Sequence, residues 1–270
     1  MRNTLMQSIA FAALLGLGAC GEPAAPPAAP VEPAPQVEAP AVEAVTASSP
    51  NIAAAVTDAA RPAADTERDA NRKPAEMLAF GEVSTGDKVG ELIPGGGYIT
   101  RVMSKAVGPT GHVYLFSGPP REAGKPQAFQ PILDDTTNYG NVSFIQTDFT
   151  TIAAPEPLDL VWTSQNYHDM HNPGRNLDLA VANKAVFNAL KPGGLYIVLD
   201  HQSAAGTDFS ADLHRIDMAK VKAEVLAAGF EFVEESMALD NPADDGTKAI
   251  FDESVRGKTD QFILKFRRPA

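Results

Sequence analysis

Histidines and carboxylates crowd together twice along this 270-residue chain. His168 and His171 lie in the run Asn166-Tyr167-His168-Asp169-Met170-His171; Asp200-His201 follows later, and His214 after that. An imidazole among carboxylates takes a proton from a hydroxyl or amine near neutral pH, which makes it a general base. His168 is the first candidate for that role, with Tyr167 and Asp169 shaping the pocket of the group it deprotonates. His168, His171, His201 and Asp200 are also of a type that binds transition metals. Their spacing matches no ligand motif, so no metal site is expected. A plainer reading is open as well, in which loop histidines only cap helices or bond to backbone.

A second stretch with chemical potential is Glu91-Leu92-Ile93-Pro94-Gly95-Gly96-Gly97-Tyr98. An acidic residue closes an apolar run, three glycines turn the chain, and helical spacing resumes at Tyr98. Glycine lets the backbone pass close to a ligand, because a side chain would collide with it or forbid positive φ. The helix that follows aims its unpaired N–H groups at the same spot. The alternative is a flexible surface turn with no ligand.

Strands and helices must position both stretches. Apolar runs of strand length occur at 88–93, 112–116, 142–146, 158–163, 195–200, 230–234 and 261–266. Helical spacing fills 97–107, 177–190 and 211–228, with shorter helical pieces at 52–56, 61–78 and 127–137, where Pro131 limits their length. Strand–helix alternation predicts an α/β fold: a Rossmann-like, seven-stranded, mostly parallel sheet with helices on both faces. No helical pattern separates the last two strands, so they are expected to pair antiparallel, giving an antiparallel last strand. Ligands of such sheets bind beyond the carboxyl ends of the strands, where both chemical stretches fall. The loops at 241–245 and 256–260 are expected to cover this edge or to be solvated. Arg256 and Lys258 in the second loop are candidates for an anionic substrate group.

The first residues are not part of that fold. Met1 to Cys20 has Arg2, an apolar run from Ile9 to Leu17 and a small-residue end, the pattern of a secretory signal. Leu17-Gly18-Ala19-Cys20 resembles a bacterial lipoprotein box, which implies a lipid anchor at Cys20 and a place on the periplasmic side of the cell envelope. Cys20 is the only cysteine, so no internal disulfide can form. The Ala/Pro-rich segment after it buries too little apolar surface to order itself, and 21–60 is expected to be a disordered tether. The globular domain is then 61–270. With a net charge of −12 and no basic stretch beyond the terminal 265–268, the chain suits neither nucleic acid nor electrostatic adhesion to anionic lipid.

The glycine turn at Glu91–Gly97, the turn Leu190-Lys191-Pro192-Gly193-Gly194 before a strand, and the terminal strand pair together carry a family likeness. Over about 61–266 the chain resembles the class I S-adenosylmethionine-dependent methyltransferases, and within them a bacterial group with exported members. The resemblance implies S-adenosylmethionine as cofactor and methyl transfer to a small-molecule or envelope substrate. It places Glu91, Gly95, Gly96 and Gly97 around the methionine half of the cofactor and Asp148 at the adenine amino group. Asp148 reads equally well as a turn or helix cap. The chain departs from the family in having Ile93 where glycine is usual, and in ending its second strand at Ser117 with no carboxylate for the ribose. Ser117 offers the ribose one neutral hydrogen bond. These departures suit a rival function, a non-catalytic module that keeps the fold and binds an envelope ligand or partner. A dinucleotide oxidoreductase fits poorly, because the glycines are not spaced Gly-x-Gly-x-x-Gly.

Overall fold

A computed structural model describes residues 50–270; the signal stretch 1–20 and the tether up to residue 49 lie outside the described residues. Four helices come first: α1 (Pro50–Val56), α2 (Ala63–Thr66), α3 (Asp69–Arg72) and α4 (Pro74–Phe80). Then follow β1 (Lys88–Leu92), α5 (Tyr98–Val107), β2 (His112–Ser117), α6 (Gln130–Asp134), α7 (Thr136–Tyr139) and β3 (Val142–Gln146). The second half runs β4 (Leu158–Ser164), α8 (Tyr167–Met170), α9 (Leu179–Ala189), β5 (Leu190–His201), β6 (Phe209–Ser210) and β7 (Arg215–Ile216). It closes with α10 (Met218–Ala227), β8 (Glu231–Ser236) and β9 (Gln261–Arg267).

Seven strands form one sheet in the order β3-β2-β1-β4-β5-β9-β8. The first five are parallel, and β9 inserts antiparallel to both β5 and β8. This is the expected Rossmann-like sheet with its antiparallel last strand. Alternate side chains along each strand serve two cores, one per face. Leu160, Trp162 and Ile263 join Ile52, Leu78, Val102 and Met103 on one face. Val161, Leu264 and Phe266 join Tyr167, Val186 and Val221 on the other. Because β2 and β4 flank β1 on opposite sides, the sheet changes direction at β1 and β4. The crevice of an open α/β sheet lies at the carboxyl ends of such a pair.

Two expectations need correction. The folded region starts before residue 61: α1 lays Ile52 and Ala55 into the core against α5, and Asn51 Nδ2 donates to Ala106 O at 2.9 Å. Alanine and isoleucine at helical spacing inside the Ala/Pro-rich stretch are enough for a short apolar face. The helix expected over 211–228 begins only at Met218, after a two-stranded turn of β6 and β7. Asp217 caps α10, accepting from Ala219 N at 2.8 Å, which fixes where it starts. Arg215 is fully buried and bonds Asp244, Lys248 O and Gln202 O, partners drawn from separate loops. The same contacts draw the 241–245 loop into the fold. Among the described residues no helix is long and apolar enough to cross a membrane.

Candidate functional site

The turn after β1 runs from Ile93 to Gly97 and opens onto a cleft of about 270 Å³. Ile93, Pro94, Gly95 and Gly96 line one wall, Ser164, Gln165 and Asn166 the other, and Asp65, Arg68 and Arg72 reach in from the N-terminal helices. A Cβ built on Gly95 or Gly96 meets nothing within 4 Å, so this backbone faces open space. Gly97 differs: its Cβ would stand 2.1 Å from Ile132 Cδ1, so that glycine serves packing of α6 against the turn. Asn166 ties the walls together, its Nδ2 donating to Ile93 O at 2.8 Å.

Glu91 lies in the cleft floor, 2% exposed, accepting from Thr100 Oγ1 at 2.5 Å. Burial pushes its carboxyl up to about 8, only partly countered by Thr100 and Arg101, so it is neutral at pH 7. Tyr98 carries three guanidinium groups over its ring, Arg72 at 4.9 Å, Arg68 at 5.0 Å and Arg61 at 5.7 Å from the centroid, of which Arg68 and Arg72 line the cleft. Arg72 also donates to Gln165 Oε1 across the cleft. Burial, with the nearby Arg68, lowers Arg72 to about 10, which leaves it charged at pH 7. The cleft thus offers the Arg68 and Arg72 cations, Asp65 paired with Arg101 at 2.9 Å, a neutral buried carboxyl and bare glycine backbone. That suits a ligand carrying both a carboxylate and an ammonium group. Arg68 and Arg72 stand outside every motif of the sequence; their one signal is a like-charged pair four residues apart.

Beside this cleft stands a histidine centre. His168, 2% exposed, meets the fully buried Asp200: Nδ1 lies 2.7 Å from Asp200 Oδ1, and its backbone N donates to Asp200 Oδ2 at 2.7 Å. His201 N donates to Asp200 as well, at 2.7 Å. Burial alone would lower His168, but the charge and hydrogen bond of Asp200, with Asp169, override it and raise its pKa. Asp200 is raised by burial and lowered further by His168, and ends below its usual value. Around the far edge of the His168 ring stand His214, with Nδ1 at 3.3 Å from His168 Nε2, and Asp169, with Oδ1 at 3.6 Å.

The structure places the other expected site residues less centrally. Tyr167 is a core residue with no exposed surface; its hydroxyl accepts from Asn183 Nδ2 and donates to Glu224. It points to the α9–α10 side because residues adjacent on a one-turn helix cannot share a face. Asp148 is exposed and accepts from Thr150 N at 2.9 Å and Thr150 Oγ1 at 2.7 Å, the geometry of a local cap. Those bonds lower its pKa. Ser117 ends β2 half-buried, and neither it nor Asp148 lines the cleft. His171 bonds Glu224 at 2.9 Å, and His201 Nδ1 lies 2.7 Å from Thr259 Oγ1, its pKa lowered by burial to about 3. His168, His171, His201 and Asp200 therefore do not converge as one ligand set.

No family model matches this chain, and no curated protein matches it. Solved structures do. A SAM-dependent methyltransferase from Aquifex aeolicus is 15% identical, with a TM-score of 0.52 over 74% of this chain and 92% of its own. The [4+2]-cyclase SpnF is 17% identical, with a TM-score of 0.54 over 74% of this chain and 81% of its own. The glycopeptide N-methyltransferase MtfA, complexed with sinefungin, is 16% identical, with a TM-score of 0.52 over 74% of this chain and 87% of its own. At such identities the likeness speaks for architecture: the chain has the Rossmann-like methyltransferase fold, with a seven-stranded sheet and antiparallel final strands.

Proposed function

We propose that this protein binds S-adenosylmethionine in the cleft between the β1 and β4 turns and transfers its methyl group to a small-molecule or envelope acceptor. The observation that carries this reading is the coincidence of bare glycine backbone, buried Glu91 and the Arg68–Arg72 pair at the sheet's change of direction. When bound, S-adenosylmethionine supplies an electrophilic methyl group on sulfur. Arg68 and Arg72 take the carboxylate of its amino-acid part, and Glu91 takes the ammonium. The Ile93–Gly96 backbone passes alongside. His168 Nε2 accepts the proton of the acceptor's hydroxyl or amine, with Asp200 holding the ring and stabilising its charge. Asp169 borders the acceptor site. The protein's part is positioning and proton removal. Anchored through a lipid on Cys20, the domain would act on the periplasmic side of the envelope.

A second reading rests on Ser117 and Asp148. With no carboxylate at the end of β2 and Asp148 bonded to Thr150, the nucleoside half of the cofactor finds no charged partner there. A methyltransferase-like fold that only binds a ligand or partner would show that pattern, and the cyclase SpnF is named for a different reaction on this architecture.

Calorimetric titration of the protein with S-adenosylmethionine and with S-adenosylhomocysteine separates the two. Saturable binding of both is expected, weakened at least tenfold by Arg72→Ala. Absence of heat with either compound leaves the binding-module reading. Once an acceptor is found, His168→Gln should lower turnover by about 10²–10⁴-fold without abolishing cofactor binding.

A further inference from the structure

Three side chains beside the proposed cofactor cleft bring one potential ligand atom each into a small triangle. His168 Nε2 and His214 Nδ1 are 3.3 Å apart. Asp169 Oδ1 is 3.6 Å from each of them. Tetrahedral ligands held about 2.1 Å from a zinc-like ion stand roughly 3.4 Å apart. We infer that His168, Asp169 and His214 form a binding site for a divalent transition-metal ion, with a fourth coordination position open to water or an acceptor oxygen.

The donor set, the surrounding bonds and the access all fit that assignment. Two imidazoles and one carboxylate suit zinc, iron, cobalt or nickel better than magnesium or calcium, which prefer oxygen alone. A ligating histidine ordinarily gives its other ring N–H to a carboxylate or carbonyl, which fixes the tautomer. Asp200 does this for His168: as a carboxylate it accepts from Nδ1, so the lone pair falls on Nε2, the atom facing the triangle. Asp200 cannot swing away, because the amides of His168 and His201 also bond it and it is fully buried. His214 is the outer member, its side chain about a third exposed, which leaves an entry path beside it. Its backbone lies in the left-handed region, φ 54°, which histidine enters more readily than most residues, in the turn where this ring faces His168. Phe251 packs edge-on to His214 at 5.0 Å and shields one side of the site.

Ion binding stands independently of the cofactor assignment. Where both hold, the ion would take the His168 Nε2 lone pair and would acidify a bound acceptor hydroxyl, whose proton would pass to solvent water rather than to imidazole.

The test is titration of the chelator-stripped, full-length protein with Zn²⁺ by calorimetry and with Co²⁺ by visible absorption, in the absence of S-adenosylmethionine. One equivalent of Zn²⁺ and a Co²⁺ spectrum of low-coordinate type are expected. His214→Ala and Asp169→Asn should each weaken binding more than tenfold, and Asp200→Asn by about 10–100-fold. His171→Ala should leave it within twofold. Circular dichroism confirms folding, and Cys20 is present in every variant, so its contribution cancels. Sub-stoichiometric binding, undiminished binding in both ligand variants, or an equal loss in His171→Ala overturns the site and makes the His168–His214 contact an ordinary hydrogen bond. Cofactor titration is read separately, so failure here leaves the cleft assignment standing.

Discussion

Glu91 is a carboxyl group without an ion-pair partner among the described residues, bonded only to the Thr100 hydroxyl. Its pKa of about 8 in the fold exceeds the ordinary carboxylate value, so the folded state holds one more proton than the unfolded chain between about pH 4.5 and 8. Its contribution to stability is therefore complete below that window and lost as pH rises through 8. Glu91→Gln keeps an acceptor for Thr100 and removes the titration. The variant should gain stability relative to the parent between pH 5 and pH 8.5 by at least about 1 kcal/mol, read from denaturant unfolding at both pH values. A parallel pH response in the two proteins would mean that Glu91 is already ionised in the fold. The same residue marks the limit of chain-level inference. Its place at the end of a strand was legible, but its neutrality comes from burial under residues distant in sequence.

At the level of the element, the turn from Ile93 to Gly97 uses its residues for different ends. Gly95 and Gly97 adopt positive φ, 58° and 77°, and so does Ile93 at 52°, where a β-branched side chain is strained. The strain sits at the cleft wall, held by the Asn166 bond to Ile93 O. Because a Cβ on Gly96 meets nothing while one on Gly97 strikes Ile132, alanine at the two positions should separate ligand binding from folding. Gly96→Ala should change stability by less than about 0.5 kcal/mol and weaken cofactor binding at least tenfold. Gly97→Ala should cost about 2–4 kcal/mol through overpacking and its left-handed backbone. Equal thermal destabilisation of both variants would remove the cleft from the explanation of these glycines.

For the whole molecule, the N-terminal helices close the site as well as extend the core. α2 and α3 contribute Asp65 and Arg72 to the cleft, with Arg68 between them; Arg61 holds α3 to the end of α1 through its 2.6 Å ion pair with Asp69 and its bond to Val56 O, and Arg101 of α5 pairs with Asp65 at 2.9 Å. Tyr98 OH donates to Asp69 at 2.7 Å, so the same carboxylate joins these helices to α5. α1 lies ahead of them and packs on α5. Ile52→Ala should lower stability by about 2–5 kcal/mol, since a fully buried isoleucine is truncated in a region the sequence had suggested was tether. Unchanged unfolding in that variant would put the domain boundary back near residue 61.

The sequence alone determined the sheet, because apolar runs and helical spacing are local patterns, and local pattern fixes element type and order. Strand assignments at 88–93, 142–146 and 261–266 match the structure to within a residue at each end. The glycine turn was legible for the same reason: it lies within a few residues of the strand and helix it joins. Only the tertiary structure decided which side chains meet. Tyr167 and His168 are neighbours in sequence yet serve opposite sides, one in the core and one beside the cleft. His214 reaches His168 because buried Arg215 and the Asp217 cap replaced the expected start of a helix with a turn. Such juxtapositions depend on the packing of segments far apart in the chain, and no spacing rule within one segment encodes them.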